Sequence, residues 1–302
     1  MRRKLDAALL LDKPPGISSN AALQSAKRLY RAQKAGHAGT LDPLASGLLV
    51  VLFGEATKFA GPLLDAPKEY LARVRLGETT TTGDAEGEML ERREVRSSTE
   101  EIESVLPRFR GVVQQVPPMY SALKHGGRPL YELAREGRSV ERRPREIEIH
   151  TLELLARDGV DLELRVRCSK GTYVRTLAED IGAALGVGAY LAALRRTAAG
   201  GLDVRRASTL ETLQSLAEAE RDARLLPLEA LLADLPRTEL DDQQARRFCH
   251  GQRIQLAGGG HGLCAVFGPR QRVLGLGELA AGGQLRPLRL VASSPEAAQA
   301  AE

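Results

Sequence analysis

The chain has 302 residues, with 43 lysines and arginines against 39 aspartates and glutamates, for a formal net charge of +4. That length gives room for two domains and a sizeable core. No run approaches the ~20 apolar residues of a membrane-spanning helix, and AALLL at Ala7–Leu11 is too short for a secretory leader, so no signal peptide is expected. Cys168, Cys249 and Cys264 are odd in number and widely spread, as expected of reduced thiols in a cytoplasmic protein.

The positive charge sits in two places. Residues 1–35 hold eight lysines and arginines against two aspartates, and residues 124–145 hold seven against three glutamates. The rest of the chain is therefore acidic. Two such patches suit a polyanion such as nucleic acid, although a solvated helix face in an arginine-rich protein reads the same way.

In chain order, Asp42 is the first residue to stand out, in GHAGTLDPLASG. An aspartate before a proline starts turns and helices, because its carboxylate accepts nearby backbone N–H groups. On those residues alone the turn role is the expected one. GLLVVLFG at Gly47–Gly54 follows as a buried strand, then a helix through EATKFAGPLL. Tyr70–Gly77 alternates as a half-buried strand.

TLELLARDGVDLELRVRCSKG reads as a hairpin turned at Asp158-Gly159, with Leu162, Leu164, Val166 and Cys168 on one face and Glu163, Arg165 and Arg167 on the other. The period then changes. Val174, Leu177, Ile181 and Leu185 mark a helix ending at Gly186, which places Arg175 in its first turn beside a strand end. A capping box at Ser208 in STLETL opens another helix.

After Pro236 short β-like runs, LCAVF, RVLGLGEL and RPLRLV, alternate with glycine-rich turns and predict a small all-β module. The tail ASSPEAAQAAE has too little apolar content to order itself. Cys249, His250, His261 and Cys264 do not make a zinc site, since the spacing fits no common pattern. No nucleotide or nicotinamide fingerprint appears.

Several stretches taken together carry a resemblance. LLLDKPPGISS (Leu9–Ser19), GHAGTLDPLASGLL (Gly36–Leu49), KEY (Lys68–Tyr70), PPMYSALKHGGRPLYELAREG (Pro117–Gly137), CSKGTYVRTLAEDIG (Cys168–Gly182) and LRRT (Leu194–Thr197) closely resemble, in order, the bacterial TruB family of tRNA pseudouridine synthases, which modify uridine 55 of the T loop. The resemblance implies an α+β fold: a mixed-sheet catalytic core over residues 1–236, and a PUA-like RNA-binding domain with a disordered tail over 237–302. It implies an isomerase working without cofactor or metal on the T arm of tRNA, with no membrane and no obligate protein partner. A monomer is expected.

Residue by residue, Asp42 matches the family's catalytic nucleophile, which attacks either the sugar or the pyrimidine ring. Seen with the whole motif set, that role displaces the turn reading. A buried carboxylate needs a cation to stay charged, and Arg175 matches the arginine paired with it. Tyr70 matches the tyrosine that stacks on the target base; whether it also removes the proton at ring carbon 5 stays open. Tyr173 and Leu194 match residues lining the base pocket. His37 matches the histidine that fills the place of the extruded uridine, on an expected loop. Lys13, the basic patches and YSALKHGGRPLYELAR are expected phosphate and arm contacts. Asp84, in TTTGDAEG, matches a family position without an assigned role. Two other readings share part of the pattern: a structured-RNA binding or folding protein, and a pseudouridine synthase for a different RNA. Pure binding needs no Asp42, Tyr70 and Arg175 together.

Overall fold

The protein is described from a computed structural model covering residues 1–258 and 260–292. The expected disordered tail falls on residues outside that range, apart from Ala292.

A mixed eleven-stranded sheet forms the body. Its main path runs Ser208–Thr209, Ala7–Lys13, Ser46–Phe53, Ala189–Ala199, Lys68–Leu76, Asp161–Cys168, Arg145–Asp158 and Gly111–Gln115. The Ser46–Phe53 strand is apolar throughout because both its faces are covered. Leu48, Val50 and Leu52 enter one core, and Leu49, Val51 and Phe53 enter another on the opposite face. The neighbouring Ala7–Lys13 strand divides in the same way, Ala8 and Leu10 from Leu9 and Leu11.

The other half of the sheet has one wet face. Leu162, Leu164, Val166 and Cys168 are buried while Glu163, Arg165 and Arg167 are exposed, as the alternation predicts. The hairpin turn comes at Gly159-Val160, one residue beyond the expected Asp158-Gly159. The Val174–Ala184 helix lies over this half through Val174, Leu177, Ala178 and Ile181, and Gly186 follows its end with φ +75°.

Three local expectations need correction. EATKFAGPLL is a 3-10 turn, Gly54–Phe59, running into a short helix, Ala60–Asp65. The cap of the Leu210–Ser215 helix is Thr209, which accepts from the Thr212 amide; Ser208 is drawn instead into parallel pairing with Leu11. The C-terminal region is a five-stranded sheet but is not all-β, because it carries the Asp242–Cys249 helix with an Asp241/Gln244 capping box. That helix buries Ala245 and Phe248.

The C-terminal sheet is not a loose appendage. Ala265, Phe267, Val273 and Leu276 share a core with Leu48, Val50 and Leu52 of the main sheet. The Lys58 ammonium also donates to the Leu290 carbonyl at 2.8 Å. Among the described residues no helix is long and apolar enough to cross a membrane.

Candidate active site

The loop carrying Asp42 joins the Ala35–Ala38 and Ser46–Phe53 strands, which pair antiparallel. It is pinned on both sides of the aspartate. The buried Ser19 hydroxyl accepts from the Leu41 amide at 2.7 Å and lies 2.9 Å from the Leu41 carbonyl, to which it donates. On the other side the Pro43 carbonyl accepts from the Gly16 amide at 2.8 Å and from Lys13 Nζ at 3.4 Å. The turn is closed by main chain, with the Ala45 amide donating to the Asp42 carbonyl at 3.1 Å. The Asp42 carboxylate is therefore not spent as a cap.

It meets Arg175 instead. Asp42 Oδ2 lies 3.0 Å from Arg175 Nη2, and Asp84 Oδ2 lies 3.3 Å from Arg175 Nη1. The same guanidinium donates to the Thr82 carbonyl at 3.2 Å and the Tyr120 carbonyl at 2.6 Å. A cation in the first turn of a helix opposes the helix dipole, so these four acceptors offset both that position and the burial of the charge. The expected buried carboxylate is corrected here: the Arg175 side chain is 6 % exposed and that of Asp42 is 45 % exposed. The cation is the enclosed partner, and the carboxylate keeps access to solvent.

Asp84 gains a structural position. Its Oδ1 accepts from Thr82 Oγ1 at 2.6 Å and the Glu86 amide at 3.0 Å. Its loop is tied to the Ala189–Ala199 strand through Leu191, whose carbonyl accepts from Ala85 and whose amide donates to Gly83. Burial, then the nearby Asp84 and Asp42, raises the Glu86 carboxyl above its ordinary range.

Asp42, Tyr70, Tyr173, Arg175 and Leu194 line one cavity of about 340 Å³, with Lys68, Arg145 and Arg196 also in its wall. Tyr173 caps the Val174–Ala184 helix. Its amide donates to Gln115 Oε1 at 2.8 Å and its carbonyl accepts from Gln115 Nε2 at 3.0 Å, so the buried Gln115 fixes its backbone. The Arg145 guanidinium stacks over the Tyr173 ring at 4.7 Å. Burial raises the Tyr70 phenol above its ordinary value, and the Arg196 cation beside it pulls the other way. Burial brings Lys68, whose ammonium donates to the Leu64 and Ala66 carbonyls, down to about 8. A second cavity, about 430 Å³, includes Leu194, Arg73, Asp161 and Arg195 but neither Asp42 nor Tyr70. The first holds Asp42, Tyr70 and Arg175 together.

Three expected site residues lie outside the cavity wall. Asp84 stands behind Arg175. Lys13 is 0 % exposed, and its ammonium donates to the carbonyls of Pro14 at 2.8 Å and Ile17 at 2.7 Å as well as Pro43. The expected phosphate contact is thus corrected: a charge enclosed by three carbonyls cannot reach a phosphate, and Lys13 holds the Asp42 loop. Burial lowers it to about 8, against the opposing pull of Asp42. His37 lies in the Ala35–Ala38 strand opposite Val51 rather than on a loop, and its Nδ1 is buried without a hydrogen-bond partner. Burial and then Arg196 hold the imidazole below its ordinary value.

Sequence reasoning passed over Ser19, Gln115 and Arg196. Ser19 and Arg196 stood within quoted motifs, GISS and LRRT, but nothing in the string separates a loop clamp from a surface polar residue. Gln115 carried no signal. Cys168, Cys249 and Cys264 are free thiols, and among the described residues no cluster could hold a metal.

Comparison with known proteins places the chain in a family. Residues 27–174 match the TruB family pseudouridylate synthase N-terminal domain, residues 175–233 the tRNA pseudouridylate synthase B C-terminal domain, and residues 236–291 the pseudouridine synthase II TruB C-terminal model. The chain is 54 % identical to tRNA pseudouridine synthase B of Azoarcus sp. (strain BH72) over 292 residues, 97 % of each chain. It is also 54 % identical to the protein of that name from Burkholderia mallei (strain NCTC 10247), over 96 % of this chain and 98 % of the relative. Among solved structures it is similar to the archaeal box H/ACA sRNP Nop10-Cbf5 complex, with a TM-score of 0.73 and 26 % identity, covering 95 % of this chain and 86 % of that one. An H/ACA RNP bound to a substrate RNA containing 2'-deoxyuridine matches with the same TM-score and identity, covering 95 % and 85 %. The aspartate-bearing loop, the buried arginine behind it and the match along nearly the whole chain lead to one conclusion: this chain belongs to the TruB family of pseudouridylate synthases.

Proposed function

We propose that the chain isomerises uridine 55 in the T loop of tRNA to pseudouridine, with Asp42 as nucleophile and no cofactor. The observation that carries this reading is the half-exposed Asp42 carboxylate, held 3.0 Å from the enclosed Arg175 guanidinium at the wall of a cavity that also contains Tyr70. Arg175 aims the carboxylate through that contact, as a positioned nucleophile requires.

The isomerisation breaks the bond from ribose to ring nitrogen 1 and forms one from ribose to ring carbon 5. Carbon 5 gives up its proton and nitrogen 1 gains one, so atoms balance without a redox partner. Asp42 attacks, holds the intermediate and leaves. The base must first leave its stack, at about a few kcal/mol. The apolar Leu194 side chain and the rings of Tyr70 and Tyr173 offer it a replacement for stacking partners, and His37 fills the vacated place in the RNA.

The segment around residues 124–145 presents Lys124, Arg135 and Arg138 to solvent, while Leu130 and Leu133 anchor its short helix. We assign it, with the N-terminal basic patch, to phosphate contact along the T arm. Residues 1–236 carry the chemistry and residues 237–302 add grip on RNA, in a monomeric, cytoplasmic enzyme. The test is a tRNA transcript with cytidine in place of uridine 55. Wild-type transcript should gain one pseudouridine at position 55, and the substituted one none. Modification at another uridine in both transcripts would overturn the assignment of substrate.

A further inference from the structure

Arg196 is the largest of the fully buried side chains, 1 % exposed. Its Nε donates to the Leu48 carbonyl at 2.7 Å and its Nη2 to the Gly39 carbonyl at 3.1 Å. Those carbonyls orient the fork without neutralising it, and among the described residues no carboxylate forms an ion pair with it. Enclosing an unpaired cation is expensive. The fold nevertheless builds closely around it. A Cβ on Gly47 would stand 2.3 Å from the Arg196 carbonyl oxygen, and one on Gly39 would stand 3.3 Å from Arg196 Nη1. Both glycines have positive φ, +97° and +96°. Gly39, on the loop before Asp42, thus lets the chain close over the guanidinium, while Gly47 lets the neighbouring strand approach the Arg196 main chain.

Across the antiparallel pairing of Ala189–Ala199 with Lys68–Leu76, Arg196 is the direct partner of Tyr70. Directly opposed residues project on the same face, and both line the cavity with Asp42. The other ionisable groups acting on Tyr70 are Cys168 at the end of the next strand and Asp42 across the cavity. Burial holds the Cys168 thiol up at about 11, so it is neutral near pH 7, and Asp42 is an anion that opposes a second negative charge. Lys68, two residues away on the same strand, spends its ammonium on carbonyls. Arg196 is the cation set against the Tyr70 phenol.

We propose that Arg196 is the positioning residue for Tyr70, stabilising the phenolate that takes the proton from ring carbon 5 of the rejoined base. The proposal rests on the isomerase reading above and gives Tyr70 the proton-transfer role in it. In that step Tyr70, having released its own proton to water, accepts the proton of carbon 5. The pair of the broken C–H bond becomes the double bond between carbons 5 and 6, and the pair between nitrogen 1 and carbon 6 moves to nitrogen 1, which is protonated from water. Burial is the larger influence and leaves the phenol above its ordinary value; Arg196 opposes it and so lessens the cost of forming the phenolate.

The test places a fluorinated tyrosine, whose phenol titrates nearer neutrality, at position 70 of the full chain and follows its fluorine resonance against pH. Arg196→Gln should move the midpoint up by about one pH unit or more, with Arg196→Lys between it and the wild type. An unmoved midpoint in a folded Arg196→Gln protein overturns the proposal. Should that variant not fold, Arg196→Lys decides alone: a raised midpoint supports the role, and an unchanged one refutes it. The titration uses no RNA, so its outcome is separate from whether uridine 55 is the substrate. The pH–rate profile supplies the link to turnover: its limb should move with the phenol midpoint, and a limb that stays while the midpoint moves also refutes the proposal.

Discussion

Arg175 and Asp42 form an asymmetric pair, the guanidinium sealed in the protein and the carboxylate 3.0 Å away still half in water. A second carboxylate, Asp84, holds the other side of the fork from a fully buried position. Asp84 and Asp42 thus hold the two ends of the Arg175 fork. Replacing Arg175 with Ala should lower the single-turnover rate by about a hundredfold or more, the scale for losing a preorganised charge partner. Lys should restore only part, because an ammonium cannot grip two carboxylates and two carbonyls at once. Full activity in Arg175→Lys would show that the forked geometry is unnecessary.

Lys13 offers a test of scaffold against RNA contact. Met in its place leaves the Pro14 and Ile17 carbonyls without the ammonium, while Pro43 keeps the Gly16 amide; a group left unsatisfied away from water costs about 1–3 kcal/mol. The Lys13→Met protein should therefore melt earlier and turn over more slowly. Its tRNA affinity should keep the wild-type salt dependence, because no phosphate contact has been lost. A smaller salt slope with unchanged stability would return Lys13 to the RNA interface.

The contrast between Lys13 and Asp42 shows what the string of residues could and could not tell. Asp42, Tyr70, Tyr173, Arg175 and Leu194 were found through their motifs, and they do line one cavity. The alternation of Asp161–Cys168 and the spacing of Val174, Leu177 and Ile181 set their strand and helix, because each has one buried face. A lysine in a polar motif gives no sign of whether its ammonium meets phosphate or backbone carbonyls, since that depends on chain thirty residues away at Pro43. Arg196 was hidden for the same reason: its partners come from two other segments. The Asp242–Cys249 helix was legible, through Asp241 followed by Gln244, but the glycine-rich strands around it set the expectation for the whole region.

Acid should weaken the fold through His37. Burial and then Arg196 depress its folded-state value below the ordinary ~6.5. The unfolded chain then binds the proton more readily, so stability is full above about pH 6.5 and falls as pH drops through that value toward the folded one. Urea unfolding of wild type and His37→Gln between about pH 5 and 7.5 checks this. The substitution should flatten the acid side of the curve, and parallel curves would contradict the sign.

Removing residues after Pro236 should cost stability, because Phe267, Val273 and Leu276 complete a core with Leu48, Val50 and Leu52. Each large apolar side chain uncovered there weighs about 1.5–3 kcal/mol. The truncated chain should melt earlier or aggregate. In its soluble fraction the single-turnover rate at saturating RNA should change little, while affinity falls and the salt slope shrinks by about one for each phosphate contact removed. An equal melting temperature would contradict the shared core, and an unchanged salt slope would contradict the grip on RNA.

The nucleophilic role of Asp42 is open to one direct measurement: tritium release from a T-arm uridine labelled at ring carbon 5, run with wild type and Asp42→Asn. Wild type should release one tritium for each pseudouridine formed. Asp42→Asn preserves size and the main-chain turn but not the nucleophile, so release should vanish while tRNA affinity stays within about tenfold, roughly 1.4 kcal/mol. Release by the Asn variant above a few per cent of the wild-type rate would contradict the assignment.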